Sequence, residues 1–231
     1  CYTGGYHLPA TTLTGSVKSD IVFIEPIIGV GELAISDHRS SQPTLNELLK
    51  VASEAHVARL MTGKAGMLHL HLGDGERGLS LVREALDSAE IPPRTYNPTH
   101  INRQRYLFEE ACELAKRGCW VDVTAFETGD VGFEPGEALL RYMQQDLPQD
   151  KLTISSDGGG CLPDFHVDGS LKKMDFAESQ SMTNIFYELV DDGQAIEKFL
   201  PFFTKNVATL MNFHHKGRIK KGADADIIIL N

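Results

Sequence analysis

Short runs of apolar and β-branched residues alternate along the chain with longer segments in which apolar residues recur every three or four positions. A short apolar run between polar turn residues is typical of a buried strand, and the longer spacing is typical of an amphipathic helix. The five runs that predict strands are residues 30–35, 67–72, 95–99, 119–124 and 152–156.

The segments between these runs carry the signals that begin and end helices. Thr44 and Glu47 have the spacing of a capping box, so a helix is predicted to begin there. Gly118 follows an amphipathic segment over residues 106–117 and is predicted to end that helix. Pro135 suits the first turn of another helix. Further helices are predicted over residues 79–86 and, after a long loop, from near Met182.

Strands that alternate with helices in this way indicate an α/β fold with a parallel sheet and crossover helices. The pattern leaves two architectures open, an open doubly wound sheet and a (β/α)8 barrel. A last apolar run, residues 227–230, predicts one more strand, which has no partner after it. Because the sequence also begins with Cys1 rather than Met, we expect it to be part of a longer chain.

Composition narrows the class of protein. The chain has 231 residues, with 32 acidic against 22 basic side chains and a formal net charge of −10. An acidic chain without a basic face does not suit the neutralisation of phosphates, so we expect no nucleic-acid partner. No apolar stretch reaches the roughly 18 residues of a membrane span, and no membrane partner is expected. The four cysteines form no Cys-x-x-Cys pair, which favours a reducing cytoplasm.

Four side chains able to bind a metal lie at or near the ends of predicted strands. His71, His100 and Asp157 close three strands, and Glu32 lies inside the run 30–35. The carboxyl ends of parallel strands are where ligands and catalytic groups collect in a barrel. Two imidazoles and two carboxylates suit Zn²⁺. Each residue alone has a structural interpretation, such as a satisfied polar strand end or a turn, but the four together favour a metal site.

Three further residues leave alternatives open. His69 projects from the same strand face as His71 because side chains alternate along a strand. The pair is either a two-histidine metal clamp or, as we favour, a single ligand, His71, with His69 deeper in the interior. Arg39 and Arg103 follow strand ends, where they either face solvent or bind a substrate carboxylate through two hydrogen bonds.

Two runs, Ser36-Asp37-His38-Arg39 and Pro98-Thr99-His100-Ile101-Asn102-Arg103, resemble the amidohydrolase superfamily of metal-dependent (β/α)8 hydrolases and, within it, the isoaspartyl dipeptidases. The resemblance extends through nearly the whole chain, and residues 216–226 are similar to the superfamily's return into a small β-sandwich domain. The runs 36–39 and 98–103 are specific to the dipeptidases. They are accompanied by Gly4-Gly5-Tyr6-His7-Leu8-Pro9 and Ser155-Ser156-Asp157-Gly158.

The resemblance implies a domain organisation and a set of partners. Residues 1–215 are expected to form a (β/α)8 barrel that is incomplete in this sequence because its first strands are missing. Residues 216–231 are expected to begin the return into the small β-sandwich domain. One or two zinc ions, a small dipeptide substrate and a homo-oligomer are also implied.

The resemblance further implies roles for individual residues. His71 and His100 match two metal ligands of the family, and Asp157 matches an aspartate that binds metal and carries a proton. Tyr6 matches a tyrosine that polarises the scissile carbonyl group. The residues that match substrate-binding arginines are Arg39 and Arg103.

Three departures from the family pattern bear on these roles. Glu32 lies seven residues before Arg39, where the family usually has a carbamylated lysine, and its carboxylate is expected to bridge the metals instead. Cys161 lies where a substrate-binding serine is expected. The family's first-strand His-x-His is expected upstream of Cys1.

Together these roles imply hydrolysis of the amide bond in β-aspartyl dipeptides. Glu32 and the two histidines would hold zinc, Asp157 would move the proton and Tyr6 would stabilise the developing oxyanion. Two other functions stay open. One is a cyclic-amide hydrolase of the dihydroorotase or hydantoinase type, against which the run 36–39 argues. The other is a metal-free amidohydrolase-like scaffold that acts through oligomer contacts.

Overall fold

Parallel strands that follow one another along the chain form the centre of the fold. The structure is a computed structural model that describes residues 1–166 and 168–229. One parallel sheet contains, in spatial order, β1 (Tyr2–Thr3), β2 (Gly29–Ile35), β3 (Leu68–Leu72) and β4 (Tyr96–Thr99). A second parallel pair contains β5 (Val121–Thr124) and β6 (Leu152–Ser155).

The second pair lies beside the first sheet. The backbone N–H of Trp120, just before β5, donates to the carbonyl oxygen of Tyr96 in β4 at 3.1 Å. Each strand from β1 to β6 therefore lies next to the strand that precedes it, with helices in the connections. The α/β class with parallel strands, which the sequence predicts, is confirmed.

Helices lie between these strands and after the last of them, and five of the eight in the described part of the chain lie where the sequence predicts helices. The helices are α1 (Val17–Phe23), α2 (Leu45–Thr62), α3 (Ser80–Ser88), α4 (Arg105–Lys116), α5 (Pro135–Gln144), α6 (Gln180–Asp191), α7 (Ile196–Phe203) and α8 (Lys205–Leu210). The capping box of Thr44 and Glu47 forms at the start of α2. Helix α5 begins at Pro135, and α6 begins two residues before the predicted Met182. No helix among the described residues is long and apolar enough to cross a membrane.

The core lies between the strands and the apolar faces of the helices. Helix α4 buries Leu107, Phe108, Ala111 and Leu114 completely, at the spacing that its amphipathic pattern predicts. The Phe108 ring contacts Phe133 edge-on, with ring centroids 5.3 Å apart. Burying one such side chain stabilises a fold by about 1.5–3 kcal/mol. This packing fixes the strands whose ends carry the polar residues.

Part of the structure differs from the sequence prediction. The long loop before α6 contains an antiparallel hairpin of β7 (Cys161–Phe165) and β8 (Leu171–Phe176), and β8 is exposed on both faces. Such a strand shows no alternation of buried and exposed residues, so the pattern does not reveal it. The predicted strand over residues 227–230 is wrong for its described part. Residues 227–229 are exposed and pair with no strand among the described residues, and Leu230 lies outside them.

Gly66 allows the chain to pass close to α2 before it enters β3. It has a φ of +54°, and a Cβ atom there would lie 2.6 Å from the carbonyl oxygen of Ala55 and too close to the Cβ atom of Arg59. Gly63, at the end of α2, has a φ of +72° but faces open space. We therefore expect Gly66→Ala to lower the free energy of unfolding more than Gly63→Ala does.

Both substitutions carry the left-handed backbone cost of about 1–2 kcal/mol. Only Gly66→Ala adds overpacking, which costs about 1–3 kcal/mol more. Urea unfolding of both variants and the unaltered protein measures the difference as a shift in midpoint at unchanged slope. Equal losses in the two variants would contradict the close approach at Gly66.

Candidate metal centre

A β-bulge positions Glu32. In the register of β2 and β3, Val30 lies opposite Leu68 and Leu33 lies opposite Leu70, so β2 contains one extra residue between these pairs. A Cβ atom at Gly31 would lie 2.8 Å from the Cβ atom of His69, so only glycine allows this approach of the two strands. Bulges next to functional sites turn side chains to new directions. Here the bulge lets Glu32 reach the histidines of the next two strands.

His71 and His100 meet the Glu32 carboxylate at the ends of β3 and β4. The His100 Nε2 atom lies 3.0 Å from His71 Nδ1 and 3.2 Å from Glu32 Oε1, and Glu32 Oε2 lies 3.4 Å from His71 Nδ1. Both histidines are buried, and the Glu32 side chain is 23% exposed. One ligand atom from each residue lies within 4.8 Å of the others. These three residues form the candidate metal centre.

The ring nitrogens that face away from this centre are held by oxygen atoms. His71 Nε2 lies 3.0 Å from Asp37 Oδ2, and His100 Nδ1 lies 2.8 Å from Thr124 Oγ1. If Nε2 of His71 donates to Asp37 and Nδ1 of His100 donates to Thr124, the other nitrogen of each ring presents a lone pair to the centre. Histidine ligands in metal sites are oriented by hydrogen bonds of this kind. The donor set therefore fits a divalent ion of the zinc type.

A buried carboxylate lies behind Thr124. The Thr124 hydroxyl lies 3.3 Å from that of Thr99, which donates to Asp122 at 2.7 Å. Asp122 also accepts from Thr153 and Ser155, both at 2.6 Å. Burial raises the pKa of Asp122 despite these hydrogen bonds. Asp122 was not among the predicted site residues, although a carboxylate between Val121 and Val123 in a buried strand is the signal that could have identified it.

Burial and neighbouring groups determine the protonation states of Glu32 and His100. Burial alone would raise the pKa of Glu32, but the interactions with His100 and His71 hold that pKa well below its usual range. Burial lowers the pKa of His100 to about 4, against the opposing effect of Glu32. At neutral pH the carboxylate is therefore ionised and the His100 imidazole is neutral. Metal ligation requires these two protonation states.

Tyr6 and Asp157 lie at the same end of the strands. The Tyr6 hydroxyl lies 3.0 Å from His71 Nδ1, and burial followed by the charge of Glu32 raises the pKa of Tyr6 to about 12. Asp157 follows β6 in a left-handed backbone conformation with a φ of +51°. Burial and then the charge of Glu32 raise the pKa of Asp157, while His71 and Arg103 oppose that change. Asp157 is thus in electrostatic reach of the centre, although it is not one of its three grouped ligands.

The two predicted substrate-binding arginines lie around the centre. Arg39 forms a two-point ion pair with Asp37, at 2.7 Å through Nη2 and 3.0 Å through Nε, and its guanidinium lies 5.6 Å from the Tyr6 ring centroid. Burial would raise the pKa of Asp37, but the hydrogen bonds from Arg39 keep it below its usual range. Arg103 lies 5.6 Å from the centroid of Phe126, whose ring is 5.7 Å from that of His100.

His69 and Cys161 lie apart from the three grouped ligands. His69 Nδ1 is 2.8 Å from Asn97 Oδ1 on the neighbouring strand, and its Nε2 is 4.0 Å from Glu32 Oε1. Cys161 is exposed at the start of β7, where it pairs with Phe176. Among the described residues, no hydrogen bond joins Cys161 to the other predicted site residues.

The charge of Glu32 leads to a prediction about metal affinity. We expect Glu32→Gln to weaken the binding of Zn²⁺ by more than about 100-fold, because loss of a ligating carboxylate exceeds the 10–100-fold effect of an outer partner. Glu134→Gln is the control, since Glu134 accepts hydrogen bonds from the exposed Thr128 region instead. Competition with a chromophoric chelator measures both affinities. Equal affinity in the two variants would exclude Glu32 as a ligand.

Solved structures resemble the chain in sequence and fold, two β-aspartyl dipeptidase structures among them, whereas no protein-family profile matches it. One is the crystal structure of β-aspartyl dipeptidase from the thermophilic, keratin-degrading Fervidobacterium islandicum AW-1 in complex with β-Asp-Leu dipeptide. It is 40% identical with a TM-score of 0.90, and the match covers 97% of this chain and 58% of that one. The other is a crystal structure of β-aspartyl dipeptidase from the same organism, 38% identical with a TM-score of 0.85. That match covers 97% of this chain and 57% of the other.

The chain therefore spans less than two thirds of the length of these dipeptidases. Within that span the agreement in sequence and fold is close. It confirms the recognition that rests on the runs around Tyr6, Arg39 and His100. By both sequence and fold, this chain is related to the β-aspartyl dipeptidases over nearly its whole length.

Proposed function

We propose that the protein hydrolyses the amide bond of β-aspartyl dipeptides with the aid of bound zinc. The observation that carries this proposal is the convergence of Glu32, His71 and His100 beside Tyr6. It occurs in a chain 40% identical to a β-aspartyl dipeptidase that was crystallised with β-Asp-Leu. Since the chain spans 58% of that dipeptidase, the activity is assigned to the protein as a whole.

Glu32, His71 and His100 would hold the metal, and Glu32 is suited to bridge two ions. Its Oε1 atom faces His100 and its Oε2 atom faces His71, so each oxygen has a different neighbour. A glutamate is shorter than a carbamylated lysine, and the bulge in β2, where Gly31 approaches His69 of the adjacent strand, would compensate for the shorter side chain. When bound, zinc supplies an acidified water molecule and a positive charge beside the scissile carbonyl group.

Tyr6 would stabilise the carbonyl oxygen as it becomes negative. Its raised pKa keeps the phenol protonated at neutral pH, so its hydroxyl can donate a hydrogen bond. Its position 3.0 Å from His71 Nδ1 places that donor at the edge of the centre. Removing a comparable donor from other hydrolases costs about 2.7–4 kcal/mol of transition-state stabilisation.

Asp157 would move the proton. It would accept a proton from the attacking water as the C–O bond forms and deliver it to the nitrogen of the leaving amine as the C–N bond breaks. The raised pKa of Asp157 supports this role, because a carboxylate must hold the proton between the two steps. The same residue is proposed as a further metal ligand.

Arg39 and Arg103 would bind the carboxylates of the substrate. A dipeptide with two carboxylates is repelled by a chain whose net charge is −10, so local cations are needed. Guanidinium groups suit this task because they donate two parallel hydrogen bonds to a carboxylate. Cys161 remains a proposed substrate contact.

The remaining proposals concern architecture and cellular context. The succession of neighbouring parallel strands from β1 to β6 supports a partial (β/α)8 barrel over residues 1–215 rather than a doubly wound sheet, whose strand order reverses. Residues 216–231 are proposed to begin the return into a small β-sandwich domain. Four free cysteines support a cytoplasmic location. A homo-oligomer is proposed from the family resemblance.

Substrate selectivity tests the proposed function directly. We expect the purified protein to hydrolyse β-Asp-Leu at a kcat/KM at least about 100-fold above that for α-Asp-Leu. In α-Asp-Leu the amide bond is attached to a different carboxyl group, so polar groups of the site would be left without hydrogen-bond partners on the substrate. Activity should disappear after chelation and return with Zn²⁺, as measured by release of leucine. Preferred turnover of dihydroorotate would favour the cyclic-amide hydrolase. Protein without metal or turnover would favour the scaffold.

Arg103 provides a prediction with a neighbouring control. We expect Arg103→Ala to raise KM for β-Asp-Leu by about 10- to 100-fold with little change in kcat, because a hydrogen bond to a charged group contributes about 1.5–3 kcal/mol. Arg105→Ala removes a guanidinium two residues away that contacts Gly132 and the Phe133 ring instead. Steady-state kinetics of both variants make the comparison. An unchanged KM in Arg103→Ala would refute its role in substrate binding.

A further inference from the structure

Asp37 is a buried carboxylate that contacts two different parts of the proposed site. Its Oδ1 atom accepts hydrogen bonds from the backbone N–H of Arg39 at 2.6 Å and from Arg39 Nε at 3.0 Å. Its Oδ2 atom accepts from Arg39 Nη2 at 2.7 Å and lies 3.0 Å from His71 Nε2, and Arg39 Nη2 lies 3.1 Å from the same ring nitrogen. Asp37 is 3% exposed, so water does not replace these partners. Three N–H groups of Arg39 and one ring nitrogen of His71 thus surround one carboxylate.

The loop after β2 is built to hold Asp37 in this place. Ser36 has a left-handed backbone with a φ of +50°, and its hydroxyl donates to Gly75 at 2.6 Å and accepts from the N–H of Gly78 at 2.8 Å. Gly73 packs directly against the Asp37 side chain, where any Cβ atom would overlap it. The backbone of the loop after β3 therefore packs against Asp37 and confines its side chain.

We infer that Asp37 is a positioning residue that orients a metal ligand and a substrate-binding arginine at the same time. The inference rests on the proposed function. Through His71 Nε2 it holds the imidazole in the tautomer that leaves Nδ1 free to bind metal. Through Arg39 it holds the guanidinium beside Tyr6. One carboxylate thus sets the distance between the metal and the group that binds the substrate.

The substitution Asp37→Asn separates this role from simple packing. The new side chain would have nearly the same shape as the carboxylate but one acceptor oxygen and one N–H₂ group, so it could not accept from both His71 and Arg39. If its amide donated to His71 Nε2, the ring proton would move to Nδ1 and block the metal-binding lone pair. Loss of the negative charge would also make His71 a weaker ligand.

Zinc affinity and the histidine tautomer test the inference. We expect Asp37→Asn to weaken Zn²⁺ binding by about 10- to 100-fold in chelator competition and to raise KM for β-Asp-Leu. Asp74→Asn is the matched control, because Asp74 lies 3.6 Å from Arg103 and is exposed; its zinc affinity should stay unchanged. Arg39→Ala should raise KM but keep zinc affinity, because the bond between Asp37 and His71 remains.

A measurement on the unaltered protein does not depend on any variant folding. In the metal-free protein, ¹⁵N NMR of the His71 ring should show the proton on Nε2, and a proton on Nδ1 would overturn the inference. Zinc affinity in Asp37→Asn equal to that of the unaltered protein would overturn it as well. If the protein binds zinc but does not hydrolyse β-Asp-Leu, the proposed function fails, while zinc affinity and tautomer still decide the role of Asp37.

Discussion

The ionised carboxylate of Glu32, largely buried between two imidazoles, is the constraint on which this end of the sheet depends. Removing a carboxylate from water is costly unless hydrogen bonds or opposite charges replace the solvent. The extra residue in β2 turns Glu32 towards the inner ring nitrogens of His71 and His100, so a cation held among the three groups would replace that solvent. Gly31 is part of the same arrangement, since a side chain there would collide with His69. The bulge, Gly31 and the two histidines therefore all determine the surroundings of the Glu32 carboxylate.

The backbone is also strained just after three of the strands, next to the candidate metal centre. Ser36, His100 and Asp157 come just after β2, β4 and β6, and each has a positive φ, from +50° to +63°. Non-glycine residues in this conformation cost of order 1–3 kcal/mol each and persist where the surroundings hold them. Ser36 is held by Gly75 and Gly78, and His100 by Thr124. Burial of apolar side chains in the core stabilises the fold and offsets the energy cost of this local strain.

Much of the fold and part of the site follow from the sequence, for reasons that particular residues make clear. The strands and the capping box of Thr44 show in the sequence because they depend on local periodicity and spacing. Glu32, His71 and His100 could be grouped because parallel strands place their carboxyl ends together.

The bulge at Gly31 could not be foreseen, since it depends on register between two strands. Asp37 and Asp122 were missed because their contacts are hydrogen bonds across strands. The described part of the last apolar run, residues 227–229, was misassigned because apolarity does not supply a partner strand.

The charges around Glu32, His71 and His100 favour a cation-binding site over the alternative that these are only hydrogen-bonded polar residues at strand ends. Arg39 is paired with Asp37, and Arg103 lies near Asp74, so both guanidinium groups already face other carboxylates. His100 is neutral at physiological pH because burial lowers its pKa to about 4. Glu32 is left with a partly buried negative charge whose nearest neighbours are imidazole nitrogens. Buried charges in proteins are paired or bind metals. The outer nitrogens of both histidines lie beside oxygen atoms, and the inner ligand atoms of the three residues are close enough together to hold a metal ion.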